Sequence, residues 1–225
     1  RLLNCGFRPA AAAGTDAMAN YASLRGPVGM NRVYARVEAP ANAGPGARVA
    51  AWLDGLHHGH TLATNGPLLG LTVEGQAPGA EIQLSPGTST LHFKGFLRSI
   101  VPIEHLELVM NGRVIRVIDP STDRTSADFE GSAPVSGNGW LLLRAWNDDA
   151  TPEVFDIYAY GTTNPVFFRT PGTATRCGPD AEFFLKWLER LESAAAAHPG
   201  YNTAAEREAT LGEISAAKAV IARLK

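Results

Sequence analysis

Residues 105–118 read HLELVMNGRVIRVI, and they give the clearest indication of the fold. Two runs rich in leucine, valine and isoleucine flank the dipeptide Asn111-Gly112. Asn-Gly supplies the positive φ angles of a type I′ turn, which joins the two strands of a tight hairpin. The stretch therefore predicts antiparallel strands at residues 105–110 and 113–118.

Similar short runs, separated by proline and glycine, surround this hairpin. Short strands with turn residues between them are typical of an antiparallel sandwich. We therefore predict an immunoglobulin-like β-sandwich over residues 67–170. Its further strands are expected at residues 68–73, 81–84, 90–96, 140–146, 154–160 and 166–169.

After residue 170 the pattern changes to a helical one. Residues 198–200, His-Pro-Gly, interrupt it, and Thr203 with Glu206 matches a capping box at the start of a second helix. We predict a C-terminal αα-hairpin over residues 171–225. Two apolar rows at i, i+4 spacing are expected to form its core, namely Phe183, Trp187 and Leu191, and Phe184 with Leu188.

Residues 1–66 have the pattern expected of the end of an α/β unit. The alanine run at residues 10–13 predicts a buried strand, because such strands read as continuous apolar runs. Residues 31–37 alternate as a half-exposed strand does. Further on, Val49, Trp52 and Leu53 lie on one face of a predicted helix. The fold class predicted for the whole chain is α+β.

The composition is that of a globular protein. The chain has 225 residues, of which 45% are hydrophobic and 19% are charged, with a formal net charge of −2. This balance argues against a surface dedicated to nucleic acid or to an anionic membrane. No apolar run approaches the roughly 18 residues of a membrane helix. The chain opens with Arg1 rather than methionine, so we expect it to be a fragment or a processed product.

The two cysteines, Cys5 and Cys177, have no metal-ligand spacing. The interpretation that we favour is two separate thiols, and a single long-range disulfide is the alternative. The cellular compartment stays open on this evidence.

Asp16 is the leading candidate for a functional residue. A carboxylate at the end of a buried strand is costly unless it is paired or bound to a cation. The alternative is a turn or helix-capping aspartate.

Several motifs together resemble the C-terminal part of CehA/McbA-like proteins, a group related to PHP-type metallohydrolases that includes carbaryl hydrolases. The resemblance runs along nearly the whole chain and rests on the order of short motifs. They are residues 13–17 (AGTDA), 24–29 (LRGPVG), 32–34 (RVY), 64–67 (TNGP), 110–112 (MNG), 139–141 (GWL), 163–168 (TNPVFF) and 187–191 (WLERL).

The resemblance implies a metal-dependent hydrolase acting on an ester, carbamate or phosphoester bond of a small molecule. Residues 1–66 would then be the last part of a PHP-type α/β barrel, whose larger part would precede Arg1. That missing N-terminal part is the implied partner, and the chain alone is expected to be inactive. The implied cofactors are divalent ions such as Zn, Mn or Fe. Many relatives look exported, which slightly favours a periplasmic or secreted location.

The resemblance assigns Asp16 as a metal ligand. Arg25, Asn31 and Asn65 lie beside the matching motifs, so they are candidates for substrate binding, with turn and loop hydrogen bonding as the alternative. In this chain Met18 and Thr162 stand where relatives often have histidine, which raises the alternative of a decayed site or a non-catalytic scaffold.

A different class of function is a binding module for carbohydrate or protein. Sandwich domains present aromatic faces to such partners. Four rings in the predicted strands are candidates, and exposure of two or more of them would favour this hypothesis over a core position. They are Trp140, Trp146, Tyr158 and Tyr160.

Overall fold

The structure, a computed structural model, describes residues 1–17, 26–155 and 157–225 and has a mixed α+β fold. The helices are α1 (Pro45–His57), α2 (Gly178–Ala197) and α3 (Ala204–Ala222). The strands are β1 (Arg32–Ala35), β2 (Thr61–Thr64), β3 (Leu68–Val73), β4 (Glu81–Gln83), β5 (Thr88–Arg98), β6 (His105–Met110), β7 (Arg113–Val117), β8 (Ser126–Ser136), β9 (Gly139–Thr151), β10 (Ile157–Thr163) and β11 (Val166–Arg169).

These strands form an eight-stranded and a three-stranded sheet. In the larger sheet, β9 pairs with β6 along one edge and with β10 and β11 along the other. The sheet continues from β6 to β7, from β10 to β2 and β1, and from β11 to β4. The smaller sheet has the order β3-β5-β8. Among the described strands the β4–β11 pair is parallel and the others are antiparallel.

The two sheets share one hydrophobic core. Alternate side chains of a strand point to opposite faces, so each sheet turns one apolar face to this core. Its members from the smaller sheet include Leu71, Val73, Phe93 and Leu97, and those from the larger sheet include Leu106, Leu108, Leu143 and Val166.

The predicted hairpin is confirmed. Met110 pairs with Arg113, so the turn has two residues. Asn111 has φ 52° and Gly112 has φ 82°, as the type I′ turn requires. The observed strands β3, β6 and β11 have the predicted bounds.

The strand predicted at residues 10–13 is wrong. This segment has no regular secondary structure, and its alanines are half-buried or exposed rather than buried. Alanine has low strand propensity and buries little area, so four alanines do not hold a strand in place. Asp16 therefore does not follow a buried strand, and the described strands before residue 66, β1 and β2, are antiparallel neighbours.

The chain divides into two compact units, Pro9–Thr173 and Arg1–Arg8 together with Ala174–Lys225. This division differs from the predicted bounds 1–66, 67–170 and 171–225. The predicted boundary at residue 66 lies inside the larger unit because β2 pairs with β10.

The smaller unit contains α2, α3 and the N-terminal residues, joined by a disulfide between Cys5 and Cys177 with a Cα–Cα distance of 5.1 Å. The expectation of two separate thiols is therefore wrong. Asp180, in the first turn of α2, accepts hydrogen bonds from the side chains of Asn4 at 2.7 Å and Arg1 at 2.6 Å. The bond from Asn4 is the main cause that lowers the pKa of the Asp180 carboxyl.

The two long helices confirm the predicted cap and one of the two predicted core rows, Phe184 with Leu188. The Thr203 hydroxyl accepts from the Glu206 amide at 3.1 Å, as the capping box predicts. Phe184 is buried beside the disulfide, whereas Phe183, Trp187 and Leu191 are exposed. In the described residues no helix combines the length and the apolar character that a membrane crossing needs.

Candidate functional site

The segment that carries Asp16 is attached to the start of β1. The Thr15 hydroxyl donates to the Asn31 carbonyl at 3.0 Å and accepts from the Asn31 amide at 2.9 Å. Asp16 is exposed and has φ 53°, a left-handed conformation that aspartate adopts more readily than most residues. Asp16 and Asn31 thus come close together in the fold although 15 positions separate them in the sequence.

The register of β1 and β2 adds the third predicted residue. Arg32 pairs with Thr64. Asn31, just before β1, and Asn65, just after β2, therefore lie at the same end of the strand pair. The Arg32 guanidinium also donates to the Asn65 carbonyl at 3.4 Å. The backbone at Asn31 therefore lies beside both Thr15 and Asn65, and we call Asp16, Asn31 and Asn65 the strand-end cluster.

The side chain of Asn65 forms hydrogen bonds with the backbone of β10. Its amide donates to the Tyr158 carbonyl at 2.8 Å, and its carbonyl oxygen accepts from the Tyr160 amide at 2.8 Å. These contacts span the irregular pairing of β10 with β9 between Tyr158 and Tyr160. Asn65 thus positions the strand end by the loop hydrogen bonding that was the alternative to substrate binding.

Two residues of the sequence-based hypothesis, Arg25 and Met18, lie outside the described residues. Thr162 lies in β10, where it is half-buried and its hydroxyl donates to the Thr163 carbonyl at 3.1 Å.

A second surface lies on the outer face of the eight-stranded sheet. Tyr160 pairs with Trp146, and Trp146 pairs with His105, so the three side chains form a row across three strands. In the adjacent row Ala145 and Leu106 are buried in the core, which places the aromatic row on the opposite face.

The four candidate rings differ in exposure. Tyr158 and Tyr160 are 54% and 37% exposed, Trp146 is half-buried, and Trp140 is 5% exposed. The predicted condition for a binding face, exposure of two or more rings, is met by the two tyrosines.

A carboxylate and a stacked imidazole contact Trp146, the central ring of this row. The mostly buried carboxylate of Glu107 accepts from Arg144 Nε at 2.6 Å and from Trp146 Nε1 at 3.1 Å. The His105 ring stacks on Trp146 with a centroid distance of 3.9 Å and an interplanar angle of 20°. Tryptophan and histidine are therefore held in one orientation.

One group of side chains that could hold a metal ion has no signature in the sequence. Glu104, His105 and Asp148 place one ligand atom each within 4.8 Å of one another. His105 Nε2 lies 3.0 Å from Asp148 Oδ2, and the Asp148 amide donates to Glu104 Oε2 at 2.7 Å. No sequence signal links them, because the β6–β9 register alone brings His105 beside residues more than 40 positions away.

A histidine–carboxylate pair occurs elsewhere in the larger unit, and no third ligand completes it among the described residues. His92 Nδ1 lies 3.0 Å from Glu74 Oε1. The His92 backbone amide donates to the same carboxylate, and this bond is the main cause that lowers the pKa of Glu74. The pair gives a matched reference for the group of three.

Comparisons with known proteins do not assign these sites. No protein-family model matches the chain, and no curated protein matches it at a significant level.

Proposed function

We propose that the chain is the C-terminal portion of a metal-dependent hydrolase of the PHP-like group. In the intact protein it would hydrolyse an ester, carbamate or phosphoester bond of a small molecule. The observation that carries the proposal is the strand-end cluster, since Asp16, Asn31 and Asn65 were selected from separate motifs and lie together. The proposal rests on this grouping and on the order of the motifs.

The exposed face of α1 gives further support. Val49 is 59% exposed and Leu53 is 52% exposed, although both belong to the apolar face of the helix. Contiguous exposed apolar side chains mark surfaces that another element covers. We assign the N-terminal part of the same protein, which would carry most of the barrel, as the element that covers this face.

The finer assignments of the fold belong to the same proposal. The larger unit would combine the last elements of a PHP-type barrel with an immunoglobulin-like sandwich, and α2 and α3 would form the αα-hairpin. Two sheets around one core support the sandwich. The ion pair between Lys218 of α3 and Glu192 of α2, at 2.8 Å, supports the hairpin. The disulfide supports a periplasmic or secreted location, because disulfides persist mainly in oxidising compartments.

The residues of the strand-end cluster fit a part of a metal site and not a whole one. Asp16 supplies one exposed anionic oxygen donor, and Asn31 and Asn65 are neutral amides. Catalytic ions take three or more protein ligands, so the remaining ligands would come from the N-terminal part. When bound, Zn, Mn or Fe ions supply a coordinated water that is nucleophilic at neutral pH. Asp16 would hold one ion, and Asn65 would keep the strand end in position through β10.

The test is the metal content of the full-length protein with Asp16→Ala. We expect metal affinity to fall by more than the roughly 10–100-fold that outer-shell substitutions cause, with activity falling in parallel. The matched control is Asp119→Ala, which removes an exposed aspartate from the loop after β7. Unchanged metal affinity and activity in Asp16→Ala would contradict the assignment, and a metal-free wild-type protein would favour the scaffold alternative.

A second candidate function, carbohydrate binding by the larger unit, is favoured by the exposed rings of Tyr158 and Tyr160. Titration against a polysaccharide panel should give a binding signal that weakens by roughly two- to tenfold for each ring removed, since an aromatic contact contributes about 0.5–1.5 kcal/mol beyond its burial. The control is Phe96→Ala, which removes an exposed ring from the other sheet. The absence of any binding signal would remove this candidate.

A further inference from the structure

Glu104, His105 and Asp148, which we call the acid–histidine trio, come from two neighbouring strands of the larger sheet. Glu104 directly precedes β6, His105 is its first residue, and Asp148 lies in β9. The pairing of His105 with Trp146 sets Asp148 two residues beyond this position on β9. The β6–β9 ladder therefore positions His105, whereas Asp148 lies where the pairing of β9 with β10 is irregular.

Groups that are not ligands themselves hold the trio in place. The His105 ring is stacked on Trp146 at 3.9 Å. The Glu104 amide donates to Asn147 Oδ1 at 3.0 Å, and the Asn147 amide in turn donates to the Pro102 carbonyl at 2.9 Å. Asn147 is itself buried, and it fixes the backbone on both sides of Ile103, just before β6 begins. Such supporting contacts orient the ligands of metal sites and raise their affinity.

One basic side chain contacts the trio, at its backbone, because the Arg124 guanidinium donates to the Glu104 carbonyl. In the described part of the chain, neither Glu104 nor Asp148 forms an ion pair with lysine or arginine. Carboxylates elsewhere in the larger unit do have such partners, for example Glu107 with Arg144 and Asp128 with Arg98. With a neutral imidazole the trio carries two negative charges, which a divalent cation would balance.

We propose that the acid–histidine trio binds a divalent transition-metal ion such as Zn²⁺. One imidazole nitrogen and two carboxylate oxygens are ligands that Zn²⁺ accepts, at bond lengths of about 2.0–2.2 Å. Two ligands of one such ion lie at most about 4.4 Å apart, and the trio's ligand atoms already lie within 4.8 Å of one another. A small movement of the exposed carboxylates closes the site. The ion takes the place between His105 Nε2 and Asp148 Oδ2, and three protein ligands leave a position open for water or an anion.

The test is titration of the purified chain, stripped with a chelator and carrying no histidine tag, with Zn²⁺ alone. Isothermal calorimetry should detect a site that His105→Ala and Asp148→Asn each weaken at least tenfold. Glu104→Gln should weaken it as well, since it removes a ligand charge at the exposed start of β6. The matched control is His92→Ala, which removes a histidine from a comparable pair with Glu74. Circular dichroism of each variant would establish that the fold is retained.

Equal Zn²⁺ affinity in the wild type, His105→Ala and Asp148→Asn would overturn the proposal, as would the absence of binding in the wild type. This inference does not depend on the proposed hydrolase. Asp16→Ala should leave the Zn²⁺ affinity of the trio unchanged, and His105→Ala should leave the activity of the full-length protein unchanged. If only Asp16→Ala lowered the Zn²⁺ affinity, the trio would be overturned as the binding site, and the hydrolase assignment would stand.

Discussion

Replacing Cys5 and Cys177 by serine should destabilise the smaller unit by about 2–5 kcal/mol. The disulfide links the N-terminal segment to the residue before α2, and this cross-link removes chain entropy from the unfolded state of the unit. The unit has roughly 60 residues, a size at which a hydrophobic core alone gives marginal stability. Its apolar cluster is centred on the disulfide, with Ala181, Phe184 and Ile221 around it.

The measurement is thermal unfolding followed by circular dichroism at 222 nm, because α2 and α3 are the two longest helices of the described chain and both lie in this unit. Adding a reductant to the wild type should give the same shift as the double serine variant, and the double variant should not respond to reductant. The transition of the larger unit, followed by the fluorescence of Trp52, Trp140 and Trp146 in a Trp187→Phe background, should stay in place. A helical transition that does not change on reduction would show that the helix pair is stable without the covalent link.

This disulfide shows where sequence reasoning reached its limit. Nothing in the spacing of Cys5 and Cys177 distinguishes a bond from two separate thiols. The two residues meet because the N-terminal segment lies against the start of α2, where Asp180 holds Asn4 and Arg1. That contact is tertiary, so a local pattern cannot predict it.

Local signals predicted the elements that local chemistry determines. The Asn111-Gly112 turn fixed the β6–β7 register, and Thr203 started α3. By contrast, β8 was not predicted, because Gly131 and Pro134 lower its strand propensity. The strand β8 forms because it pairs with β5 along its whole length, from the pair of Thr88 with Ser136 to the pair of Arg98 with Ser126. Such extensive pairing outweighs a low strand propensity.

The helix α2 shows the same limit in its side chains. Two apolar rows one residue apart both satisfy the helical period, and the sequence does not say which row is covered. The structure buries Phe184 and leaves Phe183 and Trp187 exposed, because Phe184 is the one that faces the disulfide cluster. Periodicity predicted the helix, and the tertiary partner chose its buried face.

The candidate sites divide in a similar way. The strand-end cluster could be named from the order of its motifs, since Asp16, Asn31 and Asn65 each lie beside a recognisable segment. The acid–histidine trio could not be named, because its ligands gain meaning only from the β6–β9 register. Binding groups assembled across a sheet are visible in the fold and not in the spacing of residues.

Replacing Leu143 by alanine should destabilise the larger unit by about 2–5 kcal/mol. Leu143 is fully buried in β9, opposite the equally buried Leu108 of β6, at the level where the two sheets share their core. Removing most of its side chain loses transfer free energy and leaves a cavity that a close-packed core fills only in part. The measurement is urea unfolding followed by tryptophan fluorescence in a Trp187→Phe background, in which the remaining tryptophans all lie in the larger unit.

The matched control is Leu68→Ala, which removes the same atoms from a side chain 41% exposed at the start of β3. It should cost well under half as much, because little apolar area is lost from the interior. Both β9 and the smaller sheet contribute to one core, so the Leu143 variant should unfold in a single transition at a lower urea concentration. Equal costs for the two leucines would show that the contact between the sheets does not determine the stability of this unit, and two separate transitions would show that the sheets unfold independently.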